Sequence, residues 1–458
     1  MRVELARYPT YRPTESEWLG EMPEGWEAVQ LARLNTKLTN GFVGPTRDIL
    51  RDEGIRYLQS LHIKGGRIFF DTPYFVTPEW SAKHKKAVLK TGDVLIVQTG
   101  DIGQVAAVTE EFEGCSCHAL IIVRSKRKMI NGYFLSAVLR SHYGFHSLKS
   151  VQTGALHPHL NCTNIRDIFL PVPPLEDQRA ILTFLDRETA KIDRLRAVRQ
   201  KQVERLQEQR TAVIHHAVTQ GLDPQARMKP SGIDWLPMIP SGWQTHRLRR
   251  TTSRETNGFW GDEPIGDESD ITCIRVADFD RLRRRVKDGE KTMRSVPASK
   301  RGARLLRQGD LLLEKSGGGE QTPVGCVVLY EGGGLAITSN FVAKLTPLGN
   351  YDGEYLCYLH QALYDVRITK LSVKQTTGIQ NLDSFWYLNE LAPFPPRAEQ
   401  VQIVAHIDRE TAKLDTLIAK YQCELELLAE YRASLISHAV TGKIDVRGLV
   451  EPSSTDTP

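Results

Sequence analysis

Asp186-Arg187-Glu188-Thr189-Ala190-Lys191 recurs residue for residue as Asp408-Arg409-Glu410-Thr411-Ala412-Lys413, 222 positions later. His216-Ala217-Val218-Thr219 returns at the same spacing as His438-Ala439-Val440-Thr441, and the Pro173-Pro174 to Gln178 stretch returns as Pro395-Pro396 to Gln400. Earlier in each half the spacing is 217: Trp18-Leu19 pairs with Trp235-Leu236, Trp26 with Trp243 beside their Pro-x-Gly turns, and Gly92-Asp93-Val94-Leu95 with Gly309-Asp310-Leu311-Leu312. A chain written twice folds as two copies of one design. The stretches from about 35 to 90 and from 252 to 307 share little that aligns. Two common frames therefore hold two different middles, as expected of paired domains that each read a different target.

The copied segments read as helices. Glu176 to Ala217 and Ala398 to Val440 contain neither Pro nor Gly, while prolines at 171, 173 and 174, or 393, 395 and 396, set the starts. Gly221 and Gly442 set the ends. Apolar positions recur every seven residues at Ile407, Leu414, Tyr421, Leu428 and Leu435, with Leu417 and Leu425 on the adjoining stripe. The first copy keeps the register at Leu185, Ile192, Leu206 and Val213, has Leu195 beside it, and breaks it at Arg199. So narrow a seam buries itself against one other helix, and the obvious partner is its own duplicate. Some 40 residues at about 1.5 Å each make rods of roughly 60 Å that would separate the domains.

Before each rod the pattern changes. Lys90 to Val97 and Gln308 to Leu313 read as strands entered from a Gly-Asp turn, and Val105 to Val108 and Val324 to Leu329 as strands after a Gly-bearing loop. Helical stretches follow near Tyr133 to Arg140 and Tyr355 to Val366. Each block of about 170 residues is thus a mixed domain, and the expected class is α+β with an internal pseudo-twofold repeat.

With 60 Lys and Arg against 55 Asp and Glu, the net charge of +5 permits a polyanion partner without requiring one. The longest apolar runs fall far short of a bilayer span, and the first 30 residues have no apolar core, so neither a membrane segment nor a secretory signal is expected. Seven scattered cysteines fit reduced thiols in a cytoplasm. Cys115-Ser116-Cys117-His118 lacks zinc spacing, and His157-Pro158-His159 lacks a third ligand. No phosphate loop, His-Glu-x-x-His helix or Gly-x-Ser-x-Gly elbow occurs, and Gly317-Gly318-Gly319 has no following helix to face a phosphate. With no catalytic residue visible, a two-headed reader of duplex DNA fits the layout, each head entering a major groove. The rivals are a coiled-coil assembly scaffold without a DNA-reading role and a complete methyltransferase, for which a cofactor sheet and a catalytic tetrapeptide are missing.

Trp-Leu-Gly-x-x-Pro-x-Gly-Trp (Trp18 to Trp26), Gln-Thr-Gly-Ala at Gln152, Pro-x-Pro-Pro-Leu-Glu-x-Gln (Pro171 to Gln178), Asp-x-Glu-Thr-x-Lys-Ile-Asp (Asp186 to Asp193) and His-Ala-Val-Thr-Gly-Lys-Ile-Asp (His438 to Asp445) occur in this order over nearly the whole chain. Together they resemble the specificity subunit of type I restriction-modification systems. Asp177 stands where the second copy has Glu399, a mild departure. The resemblance implies target recognition domains over 1–175 and 230–397, antiparallel spacer helices within 176–229 and 398–447, and a flexible tail over 448–458. It implies a non-catalytic cytoplasmic subunit that binds double-stranded DNA, two methyltransferase subunits and restriction/translocase subunits, each domain reading half of an asymmetric bipartite target. S-adenosylmethionine, ATP and Mg would be held by the partners, and none by this chain.

For base reading the candidates are Gln98, Thr99, Asp101 and Gln104 in the first domain and Lys315, Ser316, Glu320, Gln321 and Thr322 in the second. Gln pairs bidentately with adenine, Lys with guanine, and Asp or Glu accepts from cytosine. Lys126, Arg127, Lys128, Arg283, Arg284 and Arg285 are the phosphate candidates, with Lys83, Lys85 and Lys86 a weaker set. Gln152-Thr153-Gly154 and Thr376-Thr377-Gly378 read as structural turns, and Trp26 and Trp243 as domain anchors.

Overall fold

The computed structural model describes residues 5–14, 18–154, 158–319, 322–376 and 379–449. The chain divides into two compact units, one formed by Met1–Gln200 with Cys423–Pro458 and the other by Lys201–Gln422.

The first unit is built on a four-stranded antiparallel sheet in the order Val105–Ala107, Asp93–Val97, Leu120–Ser125, Asn35–Asn40. Asp93–Val97 is buried throughout because its alternating side chains serve two cores. Val94 and Ile96 pack into the larger one with Phe134 and Val138, while Leu95 and Val97 face a smaller one with Leu58, Ile63 and Phe112. Asp93 explains the Gly-Asp entry: Oδ2 accepts the Lys90 amide at 2.9 Å, and Arg124 on the next strand pairs with the same carboxylate at 2.6 Å. Helices Gly132–Arg140 and His142–Ser150 cover the sheet, capped by Asn131 and Ser141.

The second unit repeats the plan with six strands in the order Thr256–Asn257, Val342–Leu345, Leu311–Glu314, Val327–Leu329, Arg285–Val286, Phe279–Asp280. Leu311 and Leu313 enter one core and Leu312 another. Asp310 accepts the Arg307 amide at 2.7 Å and faces Lys344. Helix Gly353–Asp365 stands where Gly132–Arg140 does in the first unit.

The first long helix is Leu175–Gln220 and the second Arg397–Val440. Both end where a glycine takes a left-handed turn, Gly221 at φ 77° and Gly442 at φ 71°. Within the first unit the helices run antiparallel, since Asp193 pairs with Arg432 while Arg199, further along, pairs with the earlier Glu424. Within the second unit Arg210 pairs with Asp415.

The seam differs from the expected one in its second stripe. Leu185, Ile192, Ile407 and Leu435 are buried, and Leu206, Val213, Leu414, Leu417, Tyr421 and Leu428 are partly covered. Leu195, in contrast, is 43% exposed. The companion stripe lies four residues after the heptad positions, as Leu425 does and Leu195 and Leu417 do not, at Arg196, Val203 and Arg210 in one helix and Thr411, Ile418, Leu425, Arg432 and Ala439 in the other. The i+4 neighbour shares a helix face as readily as the i+3 neighbour. Arginines at three of those positions hid the stripe from an apolar count.

Candidate nucleic-acid interface

In the first unit, strand Asp93–Val97 runs into the loop 98–104, which is closed by the Val97 amide donating to the Gln104 carbonyl at 2.9 Å. Gly100 at φ 78° and Gly103 at φ 85° supply the turn. Thr99 and Asp101 are exposed, and Gln98 and Gln104 are half-buried. The Leu160 amide donates to the Gln98 carbonyl at 2.9 Å, bringing in a second hairpin in which Thr153 and His159 exchange backbone bonds of 3.0 and 2.8 Å. Gln152-Thr153-Gly154 thus lies on a segment joined to the base-reading candidates. Lys149, on neither set of candidates, stacks over Phe145, whose ring supports Gly103.

The second unit brings together the same two pieces. Ser316 and Gly317 pair antiparallel with Asn381 and Gln380, on a hairpin of strands Val373–Thr376 and Ile379–Leu382. The Leu382 amide donates to the Lys315 carbonyl at 2.8 Å, and Ser316 Oγ donates to Asn381 Oδ1 at 2.7 Å. Thr322 is exposed and accepts from the Gly319 amide. Glu320, Gln321 and the Thr377-Gly378 turn lie outside the described residues.

A third component was missed in the sequence. Thr39-Asn40-Gly41-Phe42 recurs as Thr256-Asn257-Gly258-Phe259 at the spacing of 217, inside the stretches expected not to align. The glycines explain it: a Cβ on Gly41 would stand 2.5 Å from the Cys117 carbonyl oxygen, and one on Gly258 2.1 Å from that of Ser339. The asparagines then reach different partners. Asn40 Oδ1 accepts from the Cys162 thiol at 3.2 Å, whereas Asn257 Oδ1 accepts from Lys315 Nζ at 2.5 Å. Beside Asn40, Phe42 meets a cluster in which Trp80 stacks on His84 at 4.0 Å. His118 also lies against Phe42, and burial holds its pKa below the usual imidazole range.

The phosphate candidates are dispersed. Lys126, Arg127 and Lys128 are exposed but follow Ser125, and strand Leu120–Ser125 pairs Leu120 with Val97 and Arg124 with Asp93. They therefore sit at the opposite end of the sheet from Gln98, some 17 Å away at about 3.3 Å per residue. Lys83, Lys85 and Lys86 are exposed, and the Lys86 carbonyl is held at 2.8 Å by Lys37, which pairs with Arg124 at that same far end. In the second unit only Arg283 of its three candidates faces solvent. Arg284 is 4% exposed, at φ 56°, with Nη1 on Cys326 Sγ at 3.0 Å and Nη2 toward Asp365 at 3.4 Å. Arg285 pairs with Glu331 at 3.1 Å and Glu354 at 3.7 Å. Arg281 satisfies the fully buried Glu314, whose pKa burial raises and Arg281 opposes. Arg281, Arg284 and Arg285 thus pair with carboxylates of their own unit, a buried one for Arg281, a partly covered one for Arg284 and more exposed ones for Arg285, which corrects the expectation that Arg284 and Arg285 face a polyanion.

Among the described residues no group of three or more His, Cys, Asp or Glu comes together as a metal site, and no helix is long and apolar enough to cross a membrane. Cys117 is buried, which pushes its thiol up to about 12, far from reactive.

Each unit thus presents a strand-end loop and a second hairpin, with a shared scaffold and divergent tips, which defines a recognition module. Residues 23–205 match the family model of the type I restriction modification DNA specificity domain. The chain is 22% identical to the StySPI specificity subunit of Salmonella potsdam over 451 residues, covering 94% of this chain and 92% of that one. It is 22% identical to the EcoKI specificity subunit of Escherichia coli K12, with the same two coverages. Its fold is similar, at TM-score 0.68 and 19% identity, to a solved chain described in terms of complex assembly and conformational transition of the type I R-M system, covering 92% of this chain and 98% of that one. Residues 23–205 thus carry the domain of that family, and over most of its length the chain is similar to the specificity subunits of type I restriction-modification systems.

Proposed function

We propose that this chain selects the DNA target of a type I restriction-modification complex, each unit reading one half of an asymmetric bipartite sequence through its pair of converging loops. The observation that carries the reading is the duplicated frame with unlike tips. In one unit a Gln98–Gln104 loop meets the Thr153–His159 hairpin, and in the other Lys315-Ser316 meets Asn381. Amide and ammonium side chains at such positions discriminate adenine and guanine in a major groove. The long helices dock two methyltransferase subunits, and restriction/translocase subunits complete the assembly in the cytoplasm. S-adenosylmethionine is held by the methyltransferase, and ATP and Mg by the translocase. The chain contributes recognition and no chemical step.

The test is methylome sequencing of cells that express the chain with its cognate methyltransferase. The expected result is one modified motif in two separated blocks. A continuous short motif, or no motif that depends on this chain, overturns the reading.

A further inference from the structure

Asp186 and Asp408 hold the same place in the repeat but have different surroundings. In the second unit Tyr358 donates its hydroxyl to Asp408 Oδ1 at 2.5 Å. Helices Gly132–Arg140 and Gly353–Asp365 align through their glutamine-held starts, which puts Ala137 where Tyr358 stands and Arg140 where Gln361 stands. The methyl of Ala137 leaves the space of a phenol unfilled. The first unit accordingly has a cavity of about 570 Å³, with Asp186, Ala137, Arg67, Arg140 and Arg432 in its wall.

Arg140 is held there by a bond from Nη1 to the Gly66 carbonyl at 2.9 Å. Gly66 lies at φ 83°, a backbone conformation that favours glycine, and its bare Cα lets the guanidinium pack close against it. Arg432 bonds Asp193 at 3.0 Å, and Glu111, also in the wall, is matched by Arg56. Neither Arg67 nor Arg140 forms an ion pair among the described residues. Three guanidiniums against Asp186 and Asp193 leave one positive charge in excess. Burial, with Arg432 and Arg67 nearby, lowers the pKa of Arg140, and Asp186 opposes this only in part. Converging planar forks offer more N–H donors than a two-oxygen carboxylate accepts and suit the three oxygens of a phosphate. The cavity is of small-molecule size, and Phe112 and Tyr133 add apolar faces to it.

We infer that this cavity binds a small organic phosphate, gripped by Arg67, Arg140 and Arg432, with its body against Phe112 and Tyr133. The site belongs to the first unit alone and does not depend on the DNA-reading proposal. The probes are adenosine monophosphate and inorganic phosphate, titrated calorimetrically into the full chain. One equivalent of adenosine monophosphate binds with a dissociation constant of about 1 mM or tighter. Ala137→Tyr and Arg140→Gln, each introducing the residue that the second unit already carries there, weaken it at least about tenfold. In the unmodified chain the nucleotide also slows amide exchange over 64–68 and 132–140, a readout that does not depend on how well the variants fold. Absence of binding by either probe, unchanged affinity in the folded variants, or displacement of the nucleotide by a short DNA duplex overturns the inference.

Discussion

Gln178 is fully buried and accounts for its amide completely: Oε1 accepts the Asn131 amide at 2.8 Å, and Nε2 donates to the Met129 and Pro173 carbonyls at 3.0 and 2.8 Å. Gln400 does the same work for Asp352 and Pro395. Each glutamine ties the start of a domain helix to the start of a long helix. Gln178→Ala leaves buried groups unpaired and lowers stability by about 2–3 kcal/mol, measurable by urea unfolding. The neighbouring pair is uneven. Trp243 Nε1 donates to Glu399 at 3.0 Å, whereas the buried Trp26 Nε1 reaches Asp177, one methylene shorter, only weakly and outside ordinary hydrogen-bond geometry. Asp177→Glu therefore stabilises the first unit by about 0.5–1.5 kcal/mol. His360 is buried, with Nδ1 on Tyr387 Oη at 2.6 Å, and burial lowers its pKa to about 4 from the ordinary 6.5. The unfolded chain takes up this proton below pH 6.5 and the folded chain only near 4, so stability falls across that window, by roughly 3 kcal/mol in full. Unfolding midpoints against pH show this slope, and the double change His360→Leu with Tyr387→Phe reduces it.

At the scale of elements, the two long helices exchange equivalent ion pairs. Arg210 and Arg432 are repeat counterparts, as are Asp193 and Asp415, and each arginine meets the aspartate of the other copy. The Arg210 side chain is 7% exposed and Asp415 39%. Asp415→Ala strands a buried cation and costs about 1–3 kcal/mol after allowing for solvent at the carboxylate. Arg210→Met, which fills the stripe with an apolar chain, is close to neutral. Equal losses from both changes, in denaturant titrations of the full chain, would refute this account of the seam.

For the whole molecule, if each unit reads one half of the target as proposed, the separate cores make the two specificities separable. Replacing Gln98 and Gln104 by Ala relaxes positions in one half of the target only, by about 1–3 kcal/mol per lost base contact, and leaves the half read by the second unit unchanged. Methylome sequencing of the variant reads both halves at once.

The repeat, the two long helices and the buried Gly-Asp strands were legible in the sequence because they depend on local spacing: heptads, proline-free runs and a carboxylate three residues from the amide it caps. The fate of individual charges was not. Arg284 and Arg285 read as phosphate contacts, yet they meet Asp365 and Glu331 from distant parts of the chain. The union of the Gln98 loop with the Thr153 hairpin, and the arginines in the helix seam, likewise rest on contacts remote in sequence. Whether a charged group faces solvent depends on which distant group can neutralise it when water is removed, and only the tertiary structure brings that partner into place.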